Sequence, residues 1–311
     1  MLELGSPDQL PSDYEELAIA IGKFDGIHLG HATLLHELVE FSQEASFVPA
    51  VVTFDRHPNA VLNPSSVPAN IIGSKQKSEL LNALGVEVLL TLQFDEELAS
   101  LSAKDFALRV LVPMRAKMVF VGEGFRFGSG GKGDVNALRE LGVQLGFRVK
   151  EVPHVSISGL KVSSTLIRDQ LDLGNVDVAA GLLGRNHSVT GVIEHGKKLG
   201  RTLGFPTANF SRSSDGYLPV DGIYAGWLLA DGVRYPAAHS VGTNDSVSEV
   251  PRLLESHVIG RDDLDLYGKV CTAEFVQQVR PWAKFGSLDE LVIQIGLDVS
   301  RSKEILRMIE S

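Results

Sequence analysis

The stretch that decides the fold reads Leu17-Ala18-Ile19-Ala20-Ile21, then Gly22-Lys23-Phe24-Asp25-Gly26-Ile27-His28-Leu29-Gly30-His31. Five consecutive apolar residues suit a strand buried on both faces of a parallel sheet. A glycine-punctuated turn follows, and residues 32–45 read as a helix. Gly26 and Gly30 permit a tight turn and a close backbone approach. The helix start supplies unpaired N–H groups and a partial positive charge. His28 and His31, three residues apart, can project to one side of that start. Neutral imidazoles can donate hydrogen bonds to phosphate oxygens, and protonation strengthens them as charge builds up in a transition state. An N-cap histidine and a metal pair are the competing readings. Local spacing offers no third metal ligand, and two histidines in such a turn favour phosphate.

Working outward, residues 17–183 repeat the pattern. Val48–Phe54, 86–92 and 117–121 are further apolar runs, and 75–83, 103–112 and Val135–Leu145 are helical stretches. This alternation predicts a doubly wound α/β domain over 1–183, with its ligand beyond the carboxyl ends of the strands. The pattern changes near Gly184. VTGVIE, GIYAGWLL, VRYPAAHSV, LLESHVI and KVCTAEFV read as short strands, some separated by turn-formers such as Asp231-Gly232 and Tyr267-Gly268. They predict a small antiparallel β-barrel over 184–311. A long terminal helix closes the chain. Leu288, Leu291, Val292, Ile295, Val299, Ile305 and Ile309 form its stripe, Ser287 is the N-cap candidate, and packing on the barrel is the expected use.

Composition bounds the chemistry. The 311 residues are 44% hydrophobic and 22% charged, which excludes wholesale disorder. A net charge of −10 argues against a sequence-independent grip on nucleic acid. The single cysteine, Cys271, excludes an internal disulfide framework and multi-cysteine metal sites, and reads as a small strand residue. No apolar run approaches the roughly 20 residues that span a bilayer. The acidic start, MLELGSPDQLPSDYEE, lacks the regions of a signal peptide. A cytoplasmic protein is expected. Gly128-Ser129-Gly130-Gly131-Lys132-Gly133 fits GxGxxG only as a string, because EGFRF intervenes between strand and glycines; a mobile loop beside bound nucleotide is expected there. No P-loop run occurs.

Other segments carry chemistry more quietly. Ser163 or Ser164 can cap a helix whose N–H groups face phosphate, with Arg168 one turn on; a surface arginine on an ordinary capped helix is the plain alternative. Thr53-Phe54-Asp55-Arg56-His57-Pro58 ends a buried strand at the sheet's carboxyl edge. In the distal half, Gly191-Val192-Ile193-Glu194-His195-Gly196 precedes Gly200-Arg201-Thr202-Leu203-Gly204-Phe205-Pro206-Thr207-Ala208-Asn209. Those glycines would let a loop wrap over phosphates. Thr207 and Asn209 are hard oxygen ligands on one face of an extended segment, which suits Mg²⁺ held jointly with phosphate. Glu255 lies in an apolar strand, where a carboxylate without a task is costly; an edge salt bridge is the alternative.

GKFDGIHLGH resembles the GxFDGxHxGH signature of the nucleotidyltransferase superfamily. Together with TFDRHP, VGEGFRFG, VSSTLIR and the PTAN core, it makes the chain similar to the prokaryotic bifunctional riboflavin kinase/FAD synthetases from about residue 17 onward. The resemblance implies phosphorylation of riboflavin to FMN, then adenylylation of FMN to FAD with release of pyrophosphate. ATP is the co-substrate, Mg²⁺ the metal, and neither nucleic acid nor membrane a partner. It assigns catalysis to Glu255, as base, and to His28, His31 and Arg168. ATP and phosphate fall to Gly22, Phe24, Asp25, Gly30, Ser164 and Thr165, and in the distal half to Gly191, Gly196, Gly200, Arg201 and Gly204. Flavin falls to Asp55, His57, Phe125, Asn244 and Arg280, and Mg²⁺ to Thr207 and Asn209. Trp282 would stack on flavin or pack on the terminal helix. Gly124 stands where the family usually has Asn or Asp, and Asp245-Ser246 where Pro-Thr is common. Two alternatives therefore stay open: a riboflavin kinase with an impaired adenylyltransferase half, and a noncatalytic flavin or nucleotide sensor.

Overall fold

Strand β2 (Leu17–Ile21) is buried along its whole length, as its unbroken apolar run requires. The computed structural model describes residues 1–195, 200, 203–243 and 252–310. By contacts the chain divides into two compact units: Met1–Ala69 with Ser74–Val162, and Asn70–Gly73 with Ser163–Ser311. In the first unit β2 joins β1 (Leu2–Leu4), β3 (Val48–Phe54), β4 (Val88–Leu92), β5 (Ala116–Gly122) and β6 (Arg148–Val152). Their order is β1-β4-β3-β2-β5-β6, and every pairing is parallel. From β2 the chain builds through β3 and β4 on one side, then returns to lay β5 and β6 on the other. The carboxyl ends of β2 and β5 therefore flank the switch point, where such sheets bind ligands. The Gly22–His31 turn leaves β2 at that point.

The core of this unit joins Leu17, Ile19, Val52, Leu90 and Val119 to Phe106, Leu138 and Phe147. The helix anticipated over 103–112 begins at Ala103–Phe106 and widens over Ala107–Leu111. A small hairpin, β7 (Ser156–Ile157) with β8 (Leu160–Lys161), lies near the end of the unit.

The second unit contains the helices Ser164–Asp172 and Val176–Leu183 and a closed antiparallel barrel. Its strands are β9 (His187–Glu194), β10 (Ala208–Phe210), β11 (Gly222–Ala230), β12 (Val233–Gly242), β13 (Leu253–Val258) and β14 (Val270–Pro281), in the order β10-β13-β12-β11-β14-β9. His239 is a satisfied core histidine: Nδ1 lies 2.7 Å from Ser256 Oγ and Nε2 3.1 Å from the Glu274 carbonyl oxygen. It fits because Gly226 has no side chain; a Cβ there would fall 1.9 Å from that same oxygen. Cys271 is buried, and burial pushes its thiol up to about 11.

The terminal helix runs Leu288–Glu310, and Ser287 Oγ accepts the Glu290 N–H at 3.2 Å as an N-cap. Ile305 and Leu306 pack on Ala225, Trp227 and Val276 of the barrel. Two members of the anticipated stripe stand apart. Leu288, in the first turn, is 59% exposed, and the side chain of Ile309 lies outside the described residues.

Candidate functional site

The first cluster is built on the turn after β2. His28 is the N-cap of the helix Leu29–Ala45, and its Nδ1 accepts the backbone N–H of His31 at 3.3 Å. The cap uses the Nδ1 lone pair, so the neutral ring carries its proton on Nε2, across the ring from the cap. The N-cap reading and the phosphate reading are thus compatible in one residue. Gly30 makes room for it, since a Cβ there would stand 3.2 Å from His28 Cε1. The His31 ring stacks on His28 at 3.7 Å between centroids. Burial, then the positive charge of His28, Lys77 and Lys23, holds the His31 imidazole well below its ordinary value. Its Nδ1 is buried with no hydrogen-bond partner among the described residues.

Phe24 and Ile27 hold left-handed backbone conformations, φ 49° and 40°, which cost energy in non-glycine residues. The Lys23 carbonyl between β2 and Phe24 accepts two bonds, from Thr53 Oγ1 and from Lys77 Nζ, each at 3.1 Å. Phe24 is 1% exposed, its ring 5.1 Å from that of His31, so its side chain supports the turn from below. Gly22 and Asp25 are half-buried in the same turn.

Around the carboxyl end of β3, Asp55 Oδ1 accepts the Phe94 N–H at 2.8 Å and Oδ2 pairs with Arg56 at 2.7 Å. Burial raises the Asp55 carboxyl, but those hydrogen bonds together outweigh it and leave it below the usual carboxylate range. His57 Nε2 lies 2.7 Å from Lys23 Nζ, which brings the anticipated His57 to the histidine turn. Phe125 is half-buried, stacked on Phe127 at 5.5 Å. Gly124 has φ +76°, with nothing within 4 Å of where a Cβ would stand. The glycine run after it is tied down: Ser129 N–H donates to the Leu101 carbonyl at 2.7 Å, and Phe127 bridges Gly133. Only a single 3-10 turn, Ser129–Gly131, forms within it, and the α-helix begins at Val135, so it lacks the dinucleotide-binding turn.

In the second unit Ser163 caps the helix Ser164–Asp172, its Oγ accepting the Leu166 N–H at 3.2 Å. Ser164 and Arg168 are half-buried there, and Thr165 is exposed. On the barrel, β10 and β13 pair Asn209 with Glu255 and Ala208 with Ser256. Ala208 and Ser256 are buried, so the alternation puts Asn209 and Glu255 together on the other face, half-buried. Thr207 Oγ1 donates to Glu255 Oε2 at 3.3 Å, and Asn209 Nδ2 donates to the Thr207 carbonyl at 3.3 Å. Thr207 and Asn209 also line a cleft with Pro206, Ile193, Leu266 and Tyr267.

The remaining anticipated residues divide. Gly191 is a close-packing position, where a Cβ would fall 2.1 Å from Ser214 Oγ. Gly200 sits against the Phe205 carbonyl, and Gly204 has φ +85°. Gly196, Arg201 and Asn244 lie outside the described residues. Arg280 gives its guanidinium to buried Asp298 of the terminal helix, at 2.8 to 3.1 Å, and lies 5.4 Å from the Phe285 ring. Trp282 is 48% exposed beside Gly242. Sequence reasoning missed Lys77 and the tilted His195–Tyr267 ring contact at 3.9 Å, neither of which stands at a diagnostic spacing.

Residues 10–166 match the FAD synthetase family model and residues 183–306 the riboflavin kinase model. The chain is 34% identical over 292 residues to the bifunctional riboflavin kinase/FMN adenylyltransferase of Escherichia coli (strain K12), covering 93% of each. It belongs to the bifunctional riboflavin kinase/FMN adenylyltransferase family. Relatives of the same description in Haemophilus influenzae (32% over 288 residues; 92% of this chain, 93% of the relative) and Pseudomonas fluorescens (34% over 298 residues; 95% of each) agree. A crystal structure described as a macrolide-efflux protein from Streptococcus pneumoniae superposes with a TM-score of 0.88 at 29% identity, over 97% of this chain and 98% of that one. Among the described residues no helix is long and apolar enough to cross a membrane. As a member of this ATP-using flavin family, the chain carries its histidine turn inside the FAD synthetase match. The Thr207–Asn209–Glu255 group falls inside the riboflavin kinase match.

Proposed function

We propose that this chain phosphorylates riboflavin to FMN on the barrel and adenylylates FMN to FAD on the parallel-sheet unit, with ATP serving both steps. The observation that carries the reading is the strand pairing of Asn209 with Glu255, which brings Thr207 Oγ1 onto the Glu255 carboxylate. Glu255 already accepts a hydroxyl proton donor in the structure. In the kinase step it accepts the proton of the riboflavin 5′-hydroxyl as that oxygen takes the γ-phosphoryl group. Hydroxyl, amide and carboxylate oxygens gathered on one face fit a hard divalent cation, and Thr207 and Asn209 would hold Mg²⁺. When bound, that ion neutralises phosphate charge.

In the second step an FMN phosphate oxygen attacks the α-phosphorus of ATP, and the bond to the β-phosphate breaks to release pyrophosphate. No covalent enzyme intermediate is needed. His28 donates from Nε2 to a phosphate oxygen while its Nδ1 remains on the helix start. Positioning and preorganised donors supply the rate. The capped helix start at Ser164 and Thr165, with Arg168, is assigned a grip on ATP phosphates.

The test is incubation with riboflavin, ATP and Mg²⁺, with flavins separated by chromatography over time. FMN should appear first and FAD after it. FMN alone would reduce the chain to a kinase, and unchanged riboflavin would make it a sensor.

A further inference from the structure

Lys77 stands on the helix Ser74–Ala83, outside every motif of the sequence, yet its ammonium reaches the histidine turn. The side chain is half-buried. Its hydrogen bond goes to a neutral carbonyl, that of Lys23, while Asp25 is the carboxylate whose charge acts on it. Burial lowers the Lys77 ammonium from the ordinary lysine value, with Asp25 opposing. An ammonium withdrawn from water onto a neutral acceptor keeps much of its desolvation cost.

Other basic groups gather beside it. Lys77, Lys23 and His28 are the positive groups that depress His31, so four basic side chains converge on one turn in a chain of net charge −10. The carbonyl that Lys77 reaches is already bonded by Thr53 Oγ1, so its hydrogen-bonding need does not explain the lysine. Beside it, His31 Nδ1 is buried without a partner among the described residues. Concentrated positive charge and an unsatisfied imidazole nitrogen at a sheet's switch point are both relieved by an anion.

The geometry points to Lys77 as a substrate-binding cation of the FAD synthetase unit, holding the polyphosphate of ATP and then the pyrophosphate leaving group. This rests on the adenylyl-transfer reading above. As the FMN oxygen bonds to the α-phosphorus, the electron pair of the broken P–O bond passes to pyrophosphate. Lys77 stays protonated throughout and stabilises that charge in place, so it exchanges no proton with substrate.

The experiment uses the full chain, the variants Lys77→Met and Lys77→Arg, and inorganic pyrophosphate with Mg²⁺ as probe. FAD formation from FMN and ATP is measured together with its inhibition by pyrophosphate. Lys77→Met should lose about tenfold or more in kcat/KM and weaken pyrophosphate inhibition comparably, while Lys77→Arg keeps most of both. Riboflavin phosphorylation should stay unchanged in each, and circular dichroism reports whether the parallel-sheet unit is folded. Lys77→Gln serves if the methionine variant fails to fold. Unchanged inhibition in a folded Lys77→Met chain overturns the inference. Equal loss of rate in both variants with inhibition intact does so too, reducing Lys77 to a brace. A wild-type chain that makes no FAD defeats the adenylyl-transfer reading itself, an outcome separate from these.

Discussion

The imidazole of His28 lies flat on that of His31, 15° from parallel, with its Nδ1 tied to the His31 backbone N–H. One ring thus ends a helix and presents a donor. The two roles separate by substitution, because asparagine is a good N-cap and a different donor. His28→Asn should keep stability within about 1 kcal/mol yet slow FAD formation about a hundredfold. His28→Ala should lose the rate and, in addition, about 1 kcal/mol of stability. Urea unfolding followed by circular dichroism, alongside FAD production, checks both.

The barrel should weaken in acid. Burial above all holds His187 and His239 down at about 4, against about 6.5 for an ordinary imidazole. As pH falls through about 6.5 the unfolded chain takes up protons that the folded barrel refuses. Stability present above that value is therefore lost progressively towards pH 4, on the order of 3 kcal/mol per histidine. Both tryptophans, Trp227 and Trp282, belong to the second unit, so their fluorescence in urea reports this transition. A midpoint that does not move between pH 7.5 and pH 4.5 would contradict the assignment.

Gly124 is open to repair. Its φ of +76° lies in the left-handed region that asparagine tolerates best after glycine, and a Cβ there meets nothing within 4 Å. Gly124→Asn should fold with a loss of less than about 1 kcal/mol. If an amide side chain there bonds ligand, the variant should raise kcat/KM for FMN adenylylation and leave riboflavin phosphorylation alone. Steady-state kinetics on FMN decides it; a folded variant with unchanged or reduced kcat/KM shows that the glycine is no handicap.

Much of this was legible in the sequence where local pattern and tertiary role coincide. Leu17–Ile21, Val48–Phe54 and Val135–Leu145 form as anticipated, because buried parallel strands are continuous apolar runs and an Asp cap opens the helix. Edge strand β6 went unread because RVKEV is exposed or half-buried except at Val152, leaving no apolar run to detect. Strand β10 is only three residues long. Thr207 and Asn209 were readable from their spacing of two, whereas their meeting with Glu255 depends on strand register. Lys77 looked like any surface lysine on a helix. The resemblance gives Arg280 to flavin, and its pairing with Asp298 across 18 residues follows no local spacing rule.

The central claim is that two separate sites act in sequence, and a crossed assay measures it directly. His28→Ala and Glu255→Gln are each supplied with riboflavin and, separately, with FMN, always with ATP and Mg²⁺. The account predicts that His28→Ala forms FMN at the wild-type rate and scarcely any FAD. It predicts that Glu255→Gln phosphorylates riboflavin about a hundredfold more slowly or worse, yet converts FMN to FAD normally. A folded variant of either kind that loses both reactions together would contradict it.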